Sequence, residues 1–175
     1  MGMHSYVPPQ RVAAAVRRFL PARDARILDI GCGVGQTGRA LKTLGYSHID
    51  GCDSTDHFLE VAATSGVYAS LFLADIAAAP IEVDSDRYDV VVCAGVYSRT
   101  LAAGSAIAEI VRLARPGGLI VIALPDDAHE AVAKQLNDEA AAHHVERLTA
   151  DGGDESAMGG AEGRVLVGRK CAGVA

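Results

Sequence analysis

The chain has 175 residues, half of them apolar, and a formal net charge of −6. That length and composition support one packed domain. The apolar runs are strand length, no charged-then-apolar leader opens the chain and no basic block interrupts it, which argues against a membrane span, a secretory signal and a nucleic acid partner.

Pro8 and Pro9 precede Val12, Val16, Phe19 and Leu20, which share one helical face, and Pro21 ends that helix. Residues 25–30 read as a strand. Residues 34–44 read as a helix closed by Gly45. A second strand covers 47–53, a second helix 56–64 and a third strand 67–74, with Asp75 at its tip. A loop or short helix containing Pro80 follows. The run Val90-Val91-Val92 marks 88–94 as a strand buried on both faces. A helix over 105–115 is cut by the hard turn Pro116-Gly117-Gly118. A fifth strand covers 119–124 and a helix 128–144. Two weaker strands, 145–150 and 164–170, flank a Gly-rich acidic loop and are close enough to pair antiparallel.

Strands alternating with helices predict an α/β fold: a doubly wound, mostly parallel, seven-stranded sheet with a C-terminal antiparallel hairpin. The expected organisation is one domain over 1–175, with an N-terminal helix (1–21), a ligand-binding core (22–127) and a C-terminal helix and edge hairpin (128–175). Cys32, Cys52, Cys93 and Cys171 show no Cys-x-x-Cys spacing, so they read as reduced thiols, mostly buried, in a cytoplasmic protein.

The stretch Ile27-Leu28-Asp29-Ile30-Gly31-Cys32-Gly33-Val34-Gly35 carries the most information. A buried strand stops in a tight turn, and alternate glycines leave the backbone open to a ligand. Ligands of such sheets bind beyond the carboxyl ends of the strands. Three carboxylates fall there: Asp29, Asp53 and Asp75.

Gly33-Val34-Gly35-Gln36-Thr37-Gly38 literally matches a dinucleotide fingerprint, and Asp53 follows at about 20 residues. The register opposes that reading. A fingerprint starting directly after the strand, at Gly31, needs glycine where Gln36 stands. A pyrophosphate would also meet Asp29 with no Lys or Arg in the loop before Arg39. A ligand with a sulfonium, an ammonium group, a ribose diol and an adenine uses the acids better. Asp29 can help place the ammonium end, Asp53 can accept from both ribose hydroxyls, and Asp75 can accept from the adenine amino group while the Ile76 N–H faces a ring nitrogen. That ligand is S-adenosyl-L-methionine (SAM).

Asp29-x-Gly31-x-Gly33-x-Gly35, Gly51-Cys52-Asp53-Ser54, Leu73-Ala74-Asp75-Ile76, Tyr88-Asp89-Val90-Val91 and Arg115-Pro116-Gly117-Gly118-Leu119 follow in that order. Together they resemble the successive signatures of class I SAM-dependent methyltransferases, over residues 7–127. Tyr6-Val7-Pro8-Pro9 and Gly95-Val96-Tyr97-Ser98 resemble most the Williams–Beuren-region methyltransferase-like group. The resemblance implies SAM as cofactor and S-adenosyl-L-homocysteine as product. It implies that Gly31, Cys32 and Gly33 line the methionine and ribose portions, and that the backbone at Cys93, Ala94 and Gly95 meets the ammonium group. Gly35 and Ser54 complete the expected cofactor set. Tyr97 is the candidate catalytic residue, as a general base or a hydrogen-bonding clamp; an aromatic wall over the cofactor is an equal reading.

The implied reaction is methyl transfer to a small-molecule acceptor by in-line displacement. The expected partners are that acceptor and, as a lid donor, a second copy of the chain. Three departures stand out: a short segment before the first helix, a tail without an inserted substrate domain, and Ala94-Gly95-Val96-Tyr97 where an Asn/Asp-Pro-Pro-Tyr motif would mark amino methylation. They keep a non-catalytic SAM-binding module open, and the shifted glycine match keeps a nicotinamide-dependent oxidoreductase open. Asp89 reads as structural, and Asp75 competes with a helix-cap role. His57 and His129 read as solvated polar residues at helix starts. His143-His144 lack a third ligand nearby, so no metal is expected.

Overall fold

The runs at 27–30, 90–93 and 119–124 are apolar at every position except Asp29, as strands covered on both faces require. The computed structural model describes residues 7–78, 80–96, 105–124, 129–142, 144–148 and 163–173. Its elements are α1 (Pro9–Phe19), β1 (Arg26–Ile30), α2 (Gln36–Thr43), β2 (His48–Asp53), α3 (Asp56–Thr64), β3 (Ser70–Leu73), a 3₁₀ turn (Ile76–Ala78), β4 (Tyr88–Ala94), α4 (Ser105–Leu113), β5 (Ala114–Leu124), α5 (His129–Ala141), β6 (Val145–Arg147) and β7 (Arg164–Lys170). The seven strands form one sheet in the order β3-β2-β1-β4-β5-β7-β6. The first five are parallel neighbours; β7 runs antiparallel to both β5 and β6. The expected hairpin therefore forms, with β7 inserted next to β5 and β6 left as the edge.

Alternation within the strands sends side chains into two cores. Ile27, Ile49, Val90, Val92, Leu119 and Val121 pack with Val12 and Val16 of α1 and Leu41 of α2. Leu28, Cys52, Val91, Cys93, Ile120 and Ile122 pack with Ile107 and Ile110 of α4 and Val132 and Leu136 of α5. No helix among the described residues is long and apolar enough to cross a membrane.

Among the boundaries that differ from the sequence reading, two have a visible physical cause. Pro116-Gly117-Gly118 does not separate a helix from a strand. Tyr88 pairs with Ala114 and Val90 with Leu119, so β5 begins at Ala114 and the turn is a bulge within it. Gly117 takes φ +77° there. Asp89 braces the bulge. One carboxylate oxygen accepts from the Arg115 guanidinium and the other from the Arg26 N–H at 2.8 Å. Although burial opposes it, those donors hold the Asp89 carboxyl below its ordinary value. β3 is also shorter than expected, because 67–69 cross from α3 to the sheet edge before pairing starts at Ser70 opposite Asp50.

The segment after β3 is held by side chains. Glu109 of α4 accepts the Ile81 N–H at 2.7 Å and a pair of bonds from Arg112. Arg112 also donates to the carbonyls of Ile81 and Val83. This clamp lays 80–83 across the sheet face beside β2 and β3. A cavity of about 390 Å³ lies beneath it, lined among others by Asp50, Phe72, Asp75, Arg87 and Tyr88.

Candidate functional site

Parallel pairing brings the carboxyl ends of β1, β2 and β3 to one rim. Asp29 pairs with Gly51, and Asp53, two residues on, ends β2 opposite Leu73. Asp75 lies two residues past the end of β3. The three acids fall on the same edge of the sheet, but each is held differently.

Asp29 is fully buried. Its Oδ2 accepts from the Tyr68 hydroxyl at 2.7 Å, and its Oδ1 has no hydrogen-bond partner. Burial pushes its carboxyl from 3.8 up to about 7; the Tyr68 hydroxyl and the Gly38 N–H pull the other way, and Asp53 adds to the rise. No cation figures among these groups.

The turn after β1 folds back onto β2. The N–H groups of Gly31 and Cys32 both donate to the Cys52 carbonyl, at 2.8 and 3.0 Å, and Gly35 N–H closes onto the Cys32 carbonyl. Gly31, Gly33 and Gly35 take φ of +67°, +51° and +86°, which L side chains rarely adopt. A Cβ at Gly31 would stand 2.4 Å from Cγ2 of Val96, whereas one at Gly33 would meet nothing within 4 Å. The turn is thus packed at Gly31 and open at Gly33.

Asp53 joins this turn to β2. Its Oδ2 accepts the Gly33 N–H at 2.9 Å and its Oδ1 the Thr55 N–H at 3.0 Å. Asp75 is exposed and accepts the Ala77 N–H at 2.8 Å, which caps the 3₁₀ turn. The competing helix-cap role is therefore present, and it leaves the second oxygen free of that duty. Ile76 is buried beside it, and Ser54 is exposed. Cys93 and Ala94 end β4 beside Ile30 of β1, and Gly95 follows with φ +90° and open space at its Cβ position. Tyr97, His143 and the Gly-rich tail loop lie outside the described residues.

Cys32, Cys52 and Cys93 are buried. Desolvation first, and the nearby Asp29 second, raise the Cys52 thiol to about 12 and push those of Cys32 and Cys93 higher still. All three stay protonated at neutral pH. Among the described residues no group of His, Cys, Asp and Glu is arranged to hold a metal ion. His57 is exposed, 3.8 Å from Glu60 on the next turn, as a solvated residue would be.

Sequence reasoning missed Tyr68. Its ring lies over Gly35, Gly38 and Gly51, where added Cβ atoms would come within 3.1, 2.5 and 2.9 Å of it. This explains the dinucleotide-like match at 33–38: Gly38 is glycine because Tyr68 occupies its side-chain space. Arg39, the first cation after the turn, donates to the Val34 carbonyl at 3.0 Å. The signal available in the sequence was one aromatic in Gly66-Val67-Tyr68, between a helix and an edge strand, in a chain with glycines facing the same layer.

The pattern of a family described as a methyltransferase domain matches residues 27–118, just over half of the chain. The chain belongs to this family, in the class I SAM-dependent group. It is 30% identical over 102 residues to methyltransferase-like protein 27 of Homo sapiens, covering 58% of this chain and 41% of that protein. It is 29% identical over 116 residues to the ubiquinone biosynthesis O-methyltransferase of Maricaulis maris, covering 65% of this chain and 45% of that one. The chain thus spans less than half the length of these curated relatives. Among solved structures, its fold matches the magnesium protoporphyrin IX methyltransferase of Synechocystis, determined with bound SAM, at a TM-score of 0.65 and 18% identity, over 93% of this chain and 79% of that one. The similarity to methyltransferase-like protein 27 agrees loosely with the expected subgroup.

Proposed function

We propose that the chain binds SAM at the rim formed by β1, β2 and β3 and transfers its methyl group to a small-molecule acceptor. The observation that carries this reading is the convergence of two buried carboxylates, Asp29 and Asp53, on one glycine turn, with no cation acting on Asp29 among the described residues. A phosphate would be repelled there; a cationic nucleoside is attracted.

The residues fit such a ligand. The open space at Gly33 admits it to the backbone. Asp53 already accepts one N–H on each oxygen, and each retains a lone pair for a ribose hydroxyl. Asp75 and the Ile76 N–H would receive the adenine edge, and the backbone at Cys93, Ala94 and Gly95 the ammonium end. Gly31, Cys32, Gly35 and Ser54 complete the wall.

When bound, SAM supplies an electrophilic methyl group and a neutral thioether leaving group. The chain then has to hold donor and acceptor in line and keep competing nucleophiles away. The high thiol pKa of Cys32 serves the second task, because a thiolate in the cradle would itself take the methyl group. Tyr97 is the proposed acceptor-side residue, orienting an acceptor hydroxyl or taking its proton as the new bond forms.

The test is to incubate the protein with SAM and a panel of small phenols, amines and thiols and to follow S-adenosyl-L-homocysteine. Release that depends on one acceptor class, with matching methylated product, supports the reading. SAM binding without product from any acceptor would leave a binding module in its place.

A further inference from the structure

Tyr68 has two functions in one side chain. Its ring takes space that glycines vacate on three parts of the fold: Gly35 at the start of α2, Gly38 in its first turn, and Gly51 inside β2. Phenylalanine would keep the ring contacts at all three glycines and lose only Oη, which also stands 2.5 Å from the Gly38 Cβ position. The hydroxyl has a polar partner besides: a 2.7 Å bond to Oδ2 of Asp29. Asp29 is a buried carboxylate with its other oxygen unpartnered. The titratable groups acting on or beside it are Asp53 and Cys52 from β2, Cys32 from the turn, Cys93 from β4 and Tyr68 itself; the Gly38 N–H faces it from α2. None of these is cationic, so among the described residues a phenol and a peptide N–H are what favour the charged form.

We infer that Tyr68 is a positioning residue of the donor site, acting through Asp29: its ring fixes the glycine turn against β2, and its hydroxyl maintains a buried negative charge that draws in a ligand with a permanent positive charge. The inference rests on the reading of the rim as a SAM site. It also implies a preference. SAM carries a sulfonium that S-adenosyl-L-homocysteine lacks, so the charge on Asp29 favours the donor over the product. The raised carboxyl of Asp29 puts that charge in balance near neutral pH, where loss of one hydrogen bond changes its population.

Tyr68→Phe isolates the hydroxyl. Calorimetric titration with SAM and with S-adenosyl-L-homocysteine, from about pH 6 to about pH 9, gives the readout. Wild type should bind SAM more tightly as pH rises through the Asp29 transition. In Y68F that inflection moves up by about one pH unit, and near neutral pH the SAM affinity falls several-fold, roughly up to tenfold. The product's affinity falls less. Asp29→Asn, which keeps an acceptor for the hydroxyl, should flatten the pH dependence and lower the SAM preference. Adding Y68F to it should then have little further effect. An equal, pH-independent loss of both ligands in Y68F would assign Tyr68 a packing role and overturn the inference, as would an unchanged profile. A folded wild type that binds neither ligand at any pH would instead remove the SAM reading beneath it. If Y68F does not fold, the pH profile and ligand preference of D29N decide alone: a wild-type profile in that variant overturns the inference.

Discussion

Replacing Asp29 with asparagine should change how stability depends on pH, and the structure gives the size of the change. Asp29 is fully buried, and its carboxyl rises from 3.8 to about 7, chiefly because burial penalises the charge. The folded chain therefore holds a proton that the unfolded chain has released between those two values. Stability is greatest below the lower value, falls as pH rises through the window and levels off above the upper one. At 1.36 kcal/mol per pKa unit, the loss across the window is about 4 kcal/mol. Asparagine keeps an acceptor for the Tyr68 hydroxyl but buries an amide donor in place of an orphan oxygen, a pH-independent penalty of about 1–3 kcal/mol. D29N should thus be less stable than wild type near pH 4, and the gap should close or reverse by about pH 8. Urea denaturation of both proteins at steps across this range measures it, and most other titrating groups cancel in the difference. A difference constant to within about 0.5 kcal/mol across the window would refute the reasoning, because Asp29 would then titrate alike in both states.

Other outcomes follow from the same geometry. Gly38→Ala places a methyl 2.5 Å from Cζ and Oη of Tyr68; although alanine ordinarily favours a helix by up to about 1 kcal/mol, overpacking should leave the variant less stable by about 1–2 kcal/mol, and a stabilised variant in urea denaturation would contradict the packing described. Glu109→Gln weakens the clamp on 80–83. Because the Arg112 hydrogen bonds hold Glu109 below its ordinary value of 4.5, its contribution is present above that value and fades as pH falls, so the variant should lose about 1–3 kcal/mol near neutral pH and little in acid, measured by denaturation at both.

Much of the fold could be read because its signals are periodic. The strand at 88–94, the helix at 56–64 and the strand at 164–170 form as the pattern of apolar and breaker residues implied. The misread bulge has a physical cause. Pro116-Gly117-Gly118 is locally a turn, but Tyr88 and Asp89 of the neighbouring strand hold Ala114 and Arg115 before it and Val90 takes Leu119 after it, so the pairing resumes. Only the neighbour's position decides that, and local propensity does not contain it. At the site, acids at strand ends were legible because topology alone delivers them to one rim. Their individual roles were not. Asp75 as a cap and Asp29 as a fully enclosed carboxylate depend on contacts from chain 39 residues away or on turn geometry. Tyr68 was invisible for the same reason: its partners are glycines, which signal by the absence of a side chain.

The most direct measurement is a calorimetric titration of wild type and Asp53→Ala with SAM at about pH 8, where Asp29 is mostly charged. Wild type should show one saturable site per chain. The variant, still folded by circular dichroism, should bind more weakly by about 2–4 kcal/mol, the worth of two charge-assisted hydrogen bonds to the ribose. Equal affinity in the two proteins, or no binding by a folded wild type, would contradict SAM binding at this rim.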